Sequence, residues 1–311
     1  MVGVFALGFC VWSLVGYWQR LSESRVSISV VNLILATGLV SAGYLCLAYG
    51  WHQLMRSVGA PVRLHTALFA WFSSQVGKYV PGKVMTAIMR VHLSNRDGAL
   101  PSKALAATAL EIIISLVVCV GVWTISRLST LGSEKWDSLY WVYVLPLPLL
   151  MALLHPKVIT WTMNAYYRWR KMPDAVPHLT VKDILRSGGF YVLGWVLYGY
   201  AGYFAARALA PMEVTSFVAA FRITGDFALA WALGYLAVIA PAGLGAREGV
   251  TVFLLQAWVP LGPAAAIAAL ARLCQTGTEL AMAGALWIVD KLKPIRSELG
   301  ETVDCGLTNK S

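Results

Sequence analysis

Two segments interrupt long apolar runs with proline, glycine and charge. The first is Gly77-Lys78-Tyr79-Val80-Pro81-Gly82-Lys83, followed by Arg90; the second is Pro241-Ala242-Gly243-Leu244-Gly245-Ala246-Arg247-Glu248. These residue types suit the binding of an anion. Lys78 and Lys83 flank the Pro81-Gly82 turn, and Lys83 and Arg90 fall on one face of the helix that follows. A helix starting just after Gly82 turns free N–H groups and its positive dipole end toward the break, which together with two ammonium groups suits phosphate. In the second segment Pro241, Gly243 and Gly245 free backbone amides and permit close backbone approach. Arg247 offers a planar fork that meets a phosphate through two N–H bonds, and Glu248 is expected to orient that guanidinium or to titrate with it. The competing structural roles are cations that snorkel to headgroups and a local ion pair that shapes the second loop.

Further charges stand inside apolar runs. Glu111, Arg272 and Glu279 lie within long spans, where an ionisable group is either a coupling site or the partner of a buried cation. Arg222 and Asp226, four apart on one helical face, read first as an intrahelical pair. There is no Cys-x-x-Cys pair and no histidine at ligand spacing, so neither a metal site nor a disulfide framework is expected. No GxxxxGK[ST] segment for ATP is present, and no cofactor is expected.

The elements that must position these groups follow from composition. The chain is 58% hydrophobic and 13% charged, with a mean hydropathy of +0.66. That is the composition of an all-α polytopic membrane protein. Apolar runs long enough to cross occur at 3–18, 28–50, 103–126, 138–154, 187–209 and 264–289, near the ~20 residues a span requires. Met1 to Trp18 lacks a basic start and reads as a retained first span rather than a cleaved signal. The two interrupted segments, 66–95 and 217–258, are expected to be re-entrant helical hairpins, although the arm 217–239 is long enough to span by itself. The segment 155–170 mixes aromatic and basic residues as an interfacial helix does, 171–183 is a linker, and 297–311 is a polar tail expected to fray.

The resulting unit of span, hairpin and span occurs at 28–126 and again at 187–289. The extra span at 138–154 inverts the second copy, within one membrane domain over 1–296. Inverted repeats place a transporter's site at their interface. Lysine and arginine number 6 in 51–102, 6 in 155–186 and 4 after 290, against 2 each in 19–27, 127–137 and 208–262. The positive-inside rule then puts both termini in the cytoplasm. The net charge of +10 reads as basic loops against anionic lipid, with no nucleic-acid partner.

The pair "GKYVPGKVMTAIMR" and "PAGLGAREG" resembles the membrane domain of the lysylphosphatidylglycerol synthase/flippase family, also found as stand-alone integral proteins. The resemblance covers roughly 28–290, and P-x-G-x-G-x-R-E-G is its most specific part. Many relatives carry Gly-Arg-x-Gly-Glu at the first break, where this chain has Lys83 and no glutamate. The resemblance implies a helical bundle with two re-entrant hairpins that moves a lipid between leaflets. It also implies partners among envelope glycolipid synthesis enzymes. The synthase half of bifunctional relatives has no counterpart before Ser311, so aminoacyl transfer is not expected.

The function expected is therefore transbilayer movement of an anionic phospholipid or a polyprenyl-phosphate-linked lipid in the cytoplasmic (inner) membrane, without enzymatic turnover. The substrate-binding groups are Lys78, Pro81, Gly82, Lys83, Arg90, Pro241, Gly243, Gly245, Arg247 and Glu248. Glu111, Arg222, Asp226, Arg272 and Glu279 serve as coupling groups or ion-pair partners. The alternatives are a secondary transporter of a small anion, a membrane enzyme acting on a lipid phosphate, and a scaffold for envelope synthesis.

Overall fold

A computed structural model describes residues 28–79, 84–128, 155–169, 179–210, 216–237 and 240–307, together with 148 and 152. The expected first span, nearly all of 138–154, most of the linker 171–183, and Pro81, Gly82 and Lys83 lie outside the described residues. Among the described residues the fold is all-helical. Its nine helices are α1 Val30–Ser57, α2 Leu64–Ser74, α3 Val84–Ser94, α4 Pro101–Leu128, α5 Pro156–Trp169, α6 Val181–Leu209, α7 Phe217–Leu236, α8 Ala246–Leu255 and α9 Leu261–Leu307. Short 3-10 turns at Gln75–Tyr79 and Pro241–Gly243 mark the two breaks.

Local chemistry sets the helix starts. Pro101 opens α4 and Pro156 opens α5, where a missing N–H costs nothing. Thr180 and Asp183 form a reciprocal capping box at α6: the Asp183 N–H donates to Thr180 Oγ1 at 3.2 Å, and the Thr180 N–H donates to Asp183 Oδ2 at 3.0 Å. The Ser216 hydroxyl accepts from the Ala219 N–H at 3.0 Å and starts α7.

Among the described residues three helices are long and apolar enough to cross a membrane: α1, α4 and α7. The expected crossings 103–126, 187–209 and 264–289 fall within α4, α6 and α9, and 28–50 coincides with α1 from Val30 onward. α1 and α6 run antiparallel in close contact, with the Ser29 N–H donating to the Ala208 carbonyl at 3.0 Å at one end and Gly43 beside Gly194 further along. A Cβ on Gly43 would sit 2.9 Å from the Gly194 carbonyl oxygen, so the crossing depends on the missing side chain. Trp51, Tyr191, Trp195 and Tyr198 fill the core around it. α9 packs on α1, α2, α6 and α8, and α7 lies between α4, α6 and α8. Large apolar side chains such as Ile34, Leu193 and Phe253 stand exposed on the outside, as a surface solvated by lipid requires.

The two interrupted segments differ. α2 and α3 have 11 residues each, about 16 Å of helix against a hydrocarbon core of about 30 Å. Their outer ends are clasped together. Arg63 donates to Asp97 through its backbone N–H at 2.8 Å and through Nε at 3.0 Å and Nη2 at 2.6 Å. α7, by contrast, has 20 residues and α8 only 10, so the second break follows a helix of full spanning length. One expectation is corrected: 297–307, read as a frayed tail, continues α9 as helix to Leu307. Glu298, Leu299 and Glu301 in that stretch are good helix formers.

The Arg63 contacts hold the Asp97 carboxyl down at about 2. Because this folded-state value lies below the ordinary one of about 3.9, the clasp is at full strength above about pH 4 and is lost as pH falls through about 2. Asp97→Asn is expected to raise amide hydrogen exchange across α2 and α3 at neutral pH, while the wild type stays protected down to about pH 4.

Candidate functional site

The two breaks touch: the turn Gln75–Tyr79 lies against the turn Pro241–Gly243. Beneath them opens a cavity lined by Lys78, Arg90 and Arg247, by Glu111 and Glu279, and by the rings of Tyr44, Trp71, Trp195, Trp231 and Tyr235. The space open to the centre of a water-sized sphere is about 130 Å³, where a single water needs about 10–15 Å³ by the same measure. The cavity therefore has room for several waters or for a small polar headgroup.

Each cation in the wall is held differently. Arg90, its side chain 3% exposed, pairs with Glu111 of α4 and donates from Nε to the Ser74 hydroxyl at 3.0 Å. Its guanidinium stands 5.2 Å from the Trp51 ring and 5.4 Å from the Trp71 ring, within cation–π range. Trp71 Nε1 donates to Glu111 at 2.7 Å, so the carboxylate is bound from two sides. Lys78 pairs with Glu279 of α9, and the neighbouring Tyr79 hydroxyl meets Thr276 Oγ1 at 3.2 Å. Arg247 bonds Gln275 of α9 and stands 5.3 Å from the Tyr198 ring.

The expected role of Glu248 is corrected. It does not bind Arg247. Neighbours in sequence point about 100° apart on a helix and do not face each other, so Glu248 turns to Arg272, with Nε 3.5 Å from its Oε1. Its other oxygen accepts the Gly245 N–H at 2.8 Å and caps α8. Arg272 also donates from Nη2 to the Ala242 carbonyl at 3.1 Å. Ala242 has φ 54°, a left-handed conformation that costs a non-glycine residue about 1–2 kcal/mol. Arg272 and Glu248 thus fix the shape of the break and stand behind the cavity rather than in its wall.

Sequence reading brought Lys78, Arg90 and Arg247 to one function, and the fold brings them to one cavity with Glu111 and Glu279 as their partners. Asp226 and Arg222 lie elsewhere, where Asp226 is bound by Arg127 of α4. Ala242 of the second break enters the wall, and Gly243 is buried just behind it. Three contributors carried no recognisable sequence signal: Gln275, Trp71 and Tyr198; a fourth, Gly234, was passed over. Gly234 has a packing role. A Cβ there would lie 2.5 Å from Arg247 Cβ, and one on Gly243, itself at φ 71°, would lie 2.7 Å from the Gly234 carbonyl oxygen. The small-x-x-x-Gly spacing of Ala230 and Gly234 in α7 could have pointed to it. Among the described residues no cluster of histidine, cysteine, aspartate and glutamate could hold a metal.

Two outcomes follow from this geometry. Arg90→Ala leaves Glu111 buried without its cation and should cost about 3–5 kcal/mol. The double variant Arg90→Met/Glu111→Met should recover more than half of that loss in detergent unfolding curves. Gly234→Val should displace Arg247 and open the α7–α8 contact at a cost of about 1–3 kcal/mol, read in the same unfolding assay.

No curated protein matches the chain closely enough to count as a relative. Residues 2–282 match the family described as the lysylphosphatidylglycerol synthase TM region. That match takes in both breaks, all three cavity cations and both of their carboxylate partners: the chain is an integral membrane protein of the lysylphosphatidylglycerol synthase transmembrane-region family.

Proposed function

We propose that this protein moves an anionic lipid between the leaflets of the cytoplasmic membrane. One observation carries the reading: cations from two breaks far apart in sequence converge on one hydrated-size cavity ringed by aromatic side chains. A structural membrane protein has no need of such a cavity, because buried charge is expensive unless it serves a pathway or site.

In this reading Lys78, Arg90 and Arg247 draw in the phosphate of the headgroup, with Lys83, Pro81 and Gly82 completing the first break and Pro241, Gly243 and Gly245 the second. The acyl or prenyl chains stay in the bilayer, so the charged head never crosses bare hydrocarbon. The architecture is six crossings and two re-entrant hairpins in inverted repeats, both termini cytoplasmic. The clasp of Arg63 and Asp97 at the two ends of the first hairpin supports its return to the side it came from. The excess of lysine and arginine in 51–102, 155–186 and after 290 supports that orientation. Alternate access follows from rocking of the two halves about the cavity. Glu279 and Glu111, released from their cations by an incoming phosphate, are the groups through which proton movement is coupled. Envelope glycolipid enzymes would supply or consume the lipid, and the protein itself performs no bond chemistry.

The test is leaflet exchange in vesicles reconstituted with the purified protein and labelled phospholipids or polyprenyl phosphates. Wild-type protein should accelerate exchange. Arg247→Met and the paired change Lys78→Met/Glu279→Gln, which strands no buried carboxylate, should each slow it about tenfold or more, the loss of a hydrogen bond to a charged group, with folding retained by circular dichroism. Unchanged exchange in both variants overturns the cation clamp. Uptake of tail-free phosphate into the lumen at a matching rate would instead make the protein a small-anion transporter.

A further inference from the structure

One buried ion pair stands apart from the cavity. Arg127, in the last turn of α4, pairs with Asp226 of α7, and its guanidinium lies 5.9 Å from the Trp123 ring. The Asp226 side chain is 2% exposed and that of Arg127 16%. Asp226 Oδ2 is also buried and accepts no hydrogen bond among the described residues, so a carboxylate able to accept several is bound through one oxygen. Trp123 of α4 and Arg222 of α7 are its other polar neighbours. α6 meets this stretch of α7 through Gly199 against Thr224 and Gly202 against Phe227, an approach of backbone to side chain rather than of charge. α8 meets α7 at its far end, where Arg247 lies on Gly234.

The pair closes a seam that leads to the cavity. Glu111 and Ser115 of α4 and Trp231 and Gly234 of α7 belong to the cavity wall. Followed outward, the two helices stay packed together. Cys119 is buried in α4 within electrostatic reach of Arg247, and Ala230 is buried in α7. Arg127 lies two helical turns beyond Cys119 and Asp226 two turns beyond Gly234, about 12 Å in each case. At that level a Cβ on Gly225 would lie 3.0 Å from Trp123 Cα and would strike the Ser126 hydroxyl, so the seam is shut.

The opposite end of the molecule is fastened differently. Arg96, just after α3, and Asp290 of α9 meet at 2.9 Å with side chains 50% and 31% exposed, a pair that water replaces at little cost. Asp226 has no such freedom. Arg127, at a helix end, can swing its head to water, but the carboxylate is fixed inside α7 and would be left buried and ionised, a state too costly to persist. A proton on Asp226 removes that cost.

We infer that Arg127 and Asp226 form the outer gate of the cavity, and that the gate opens as Asp226 takes a proton from the outer solution. This rests on the reading of the cavity as a transport site in a protein whose termini face the cytoplasm. The proton turns the carboxylate into a carboxylic acid, Arg127 keeps its charge and moves to the outer headgroups, and α4 and α7 part. The proton returns to water when the pair forms again. Acid outside therefore favours opening and alkali favours closure. This proton is separate from any exchanged by Glu111 and Glu279 within the cavity.

Cys119, behind the gate, serves as its reporter. With Cys10, Cys46, Cys274 and Cys305 changed to alanine, the full chain in vesicles is treated with a charged, membrane-impermeant methanethiosulfonate from each side in turn. From outside, Cys119 should react at least about tenfold faster in Asp226→Asn, which mimics the protonated acid, than in the parent. The parent rate divided by the Asp226→Asn rate, a ratio that cancels the titration of the thiol itself, should rise as the outer pH falls. Arg127→Met/Asp226→Leu, which closes the seam without charge, should react as slowly as the parent at neutral pH and lose the acid response. Equal rates in the parent and Asp226→Asn overturn the gate. So does fast labelling of the apolar double variant, which marks a mere loss of packing. Acceleration only from the side that bears the termini retains the gate and overturns the orientation. Gated labelling in a protein that exchanges no lipid retains the gate and overturns the transport reading.

Discussion

Charge removed from water must be answered by charge or by hydrogen bonds, and the arrangement of this protein's interior follows from that constraint. A lysine and three arginines sit among apolar helices, and each draws a particular partner from a distant part of the chain: Glu279 for Lys78, Glu111 for Arg90, Gln275 for Arg247 and Glu248 for Arg272. Three of these links end on or beside α9, which explains how the last helix is held against breaks that come well before it. Without the partners, neither break could remain at depth, since an unpaired buried ion costs several kcal/mol.

Hydrogen bonding extends the constraint to the backbone. Where the chain turns at Ala242, its carbonyl is bound by Arg272, and the Gly245 N–H that caps α8 is satisfied by Glu248. The ion pair of these two residues therefore also acts as scaffolding for a loop that cannot be helical. Small residues do the complementary work. Gly234 and Gly43 let helices approach to distances that a methyl group would forbid, and this proximity brings Arg247 over Tyr198 and carries the α1–α6 pair through the core.

The helical membrane class, the two breaks and the three wall cations were legible in the sequence, because proline, glycine and charge inside apolar runs are conspicuous. The partners were legible only as a set. Glu111 and Glu279 stood out as carboxylates at depth, but nothing in one dimension says which cation each meets. Glu248 was misassigned because adjacency in sequence was read as adjacency in space, whereas successive helical residues diverge. Gln275, Trp71 and Tyr198 were invisible for a different reason. An amide or a ring in an apolar helix faces core, lipid or cavity with equal ease until packing decides. The length of α7 was a visible asymmetry between the halves, and the structure keeps it: 20 residues against 11 in the corresponding arm.

The ion pairs also differ in what they join. Arg90 and Glu111 both belong to the N-terminal half and would travel together in any rigid-body motion. Lys78 and Glu279, like Tyr79 and Thr276 beside them, stitch that half to the C-terminal one. A separation of the halves leaves the first bond intact and must sever the second. The molecule is thus built with an internal reference and an internal latch a short distance apart, and a vibrational or magnetic-resonance probe on each carboxylate would read the latch against a constant background.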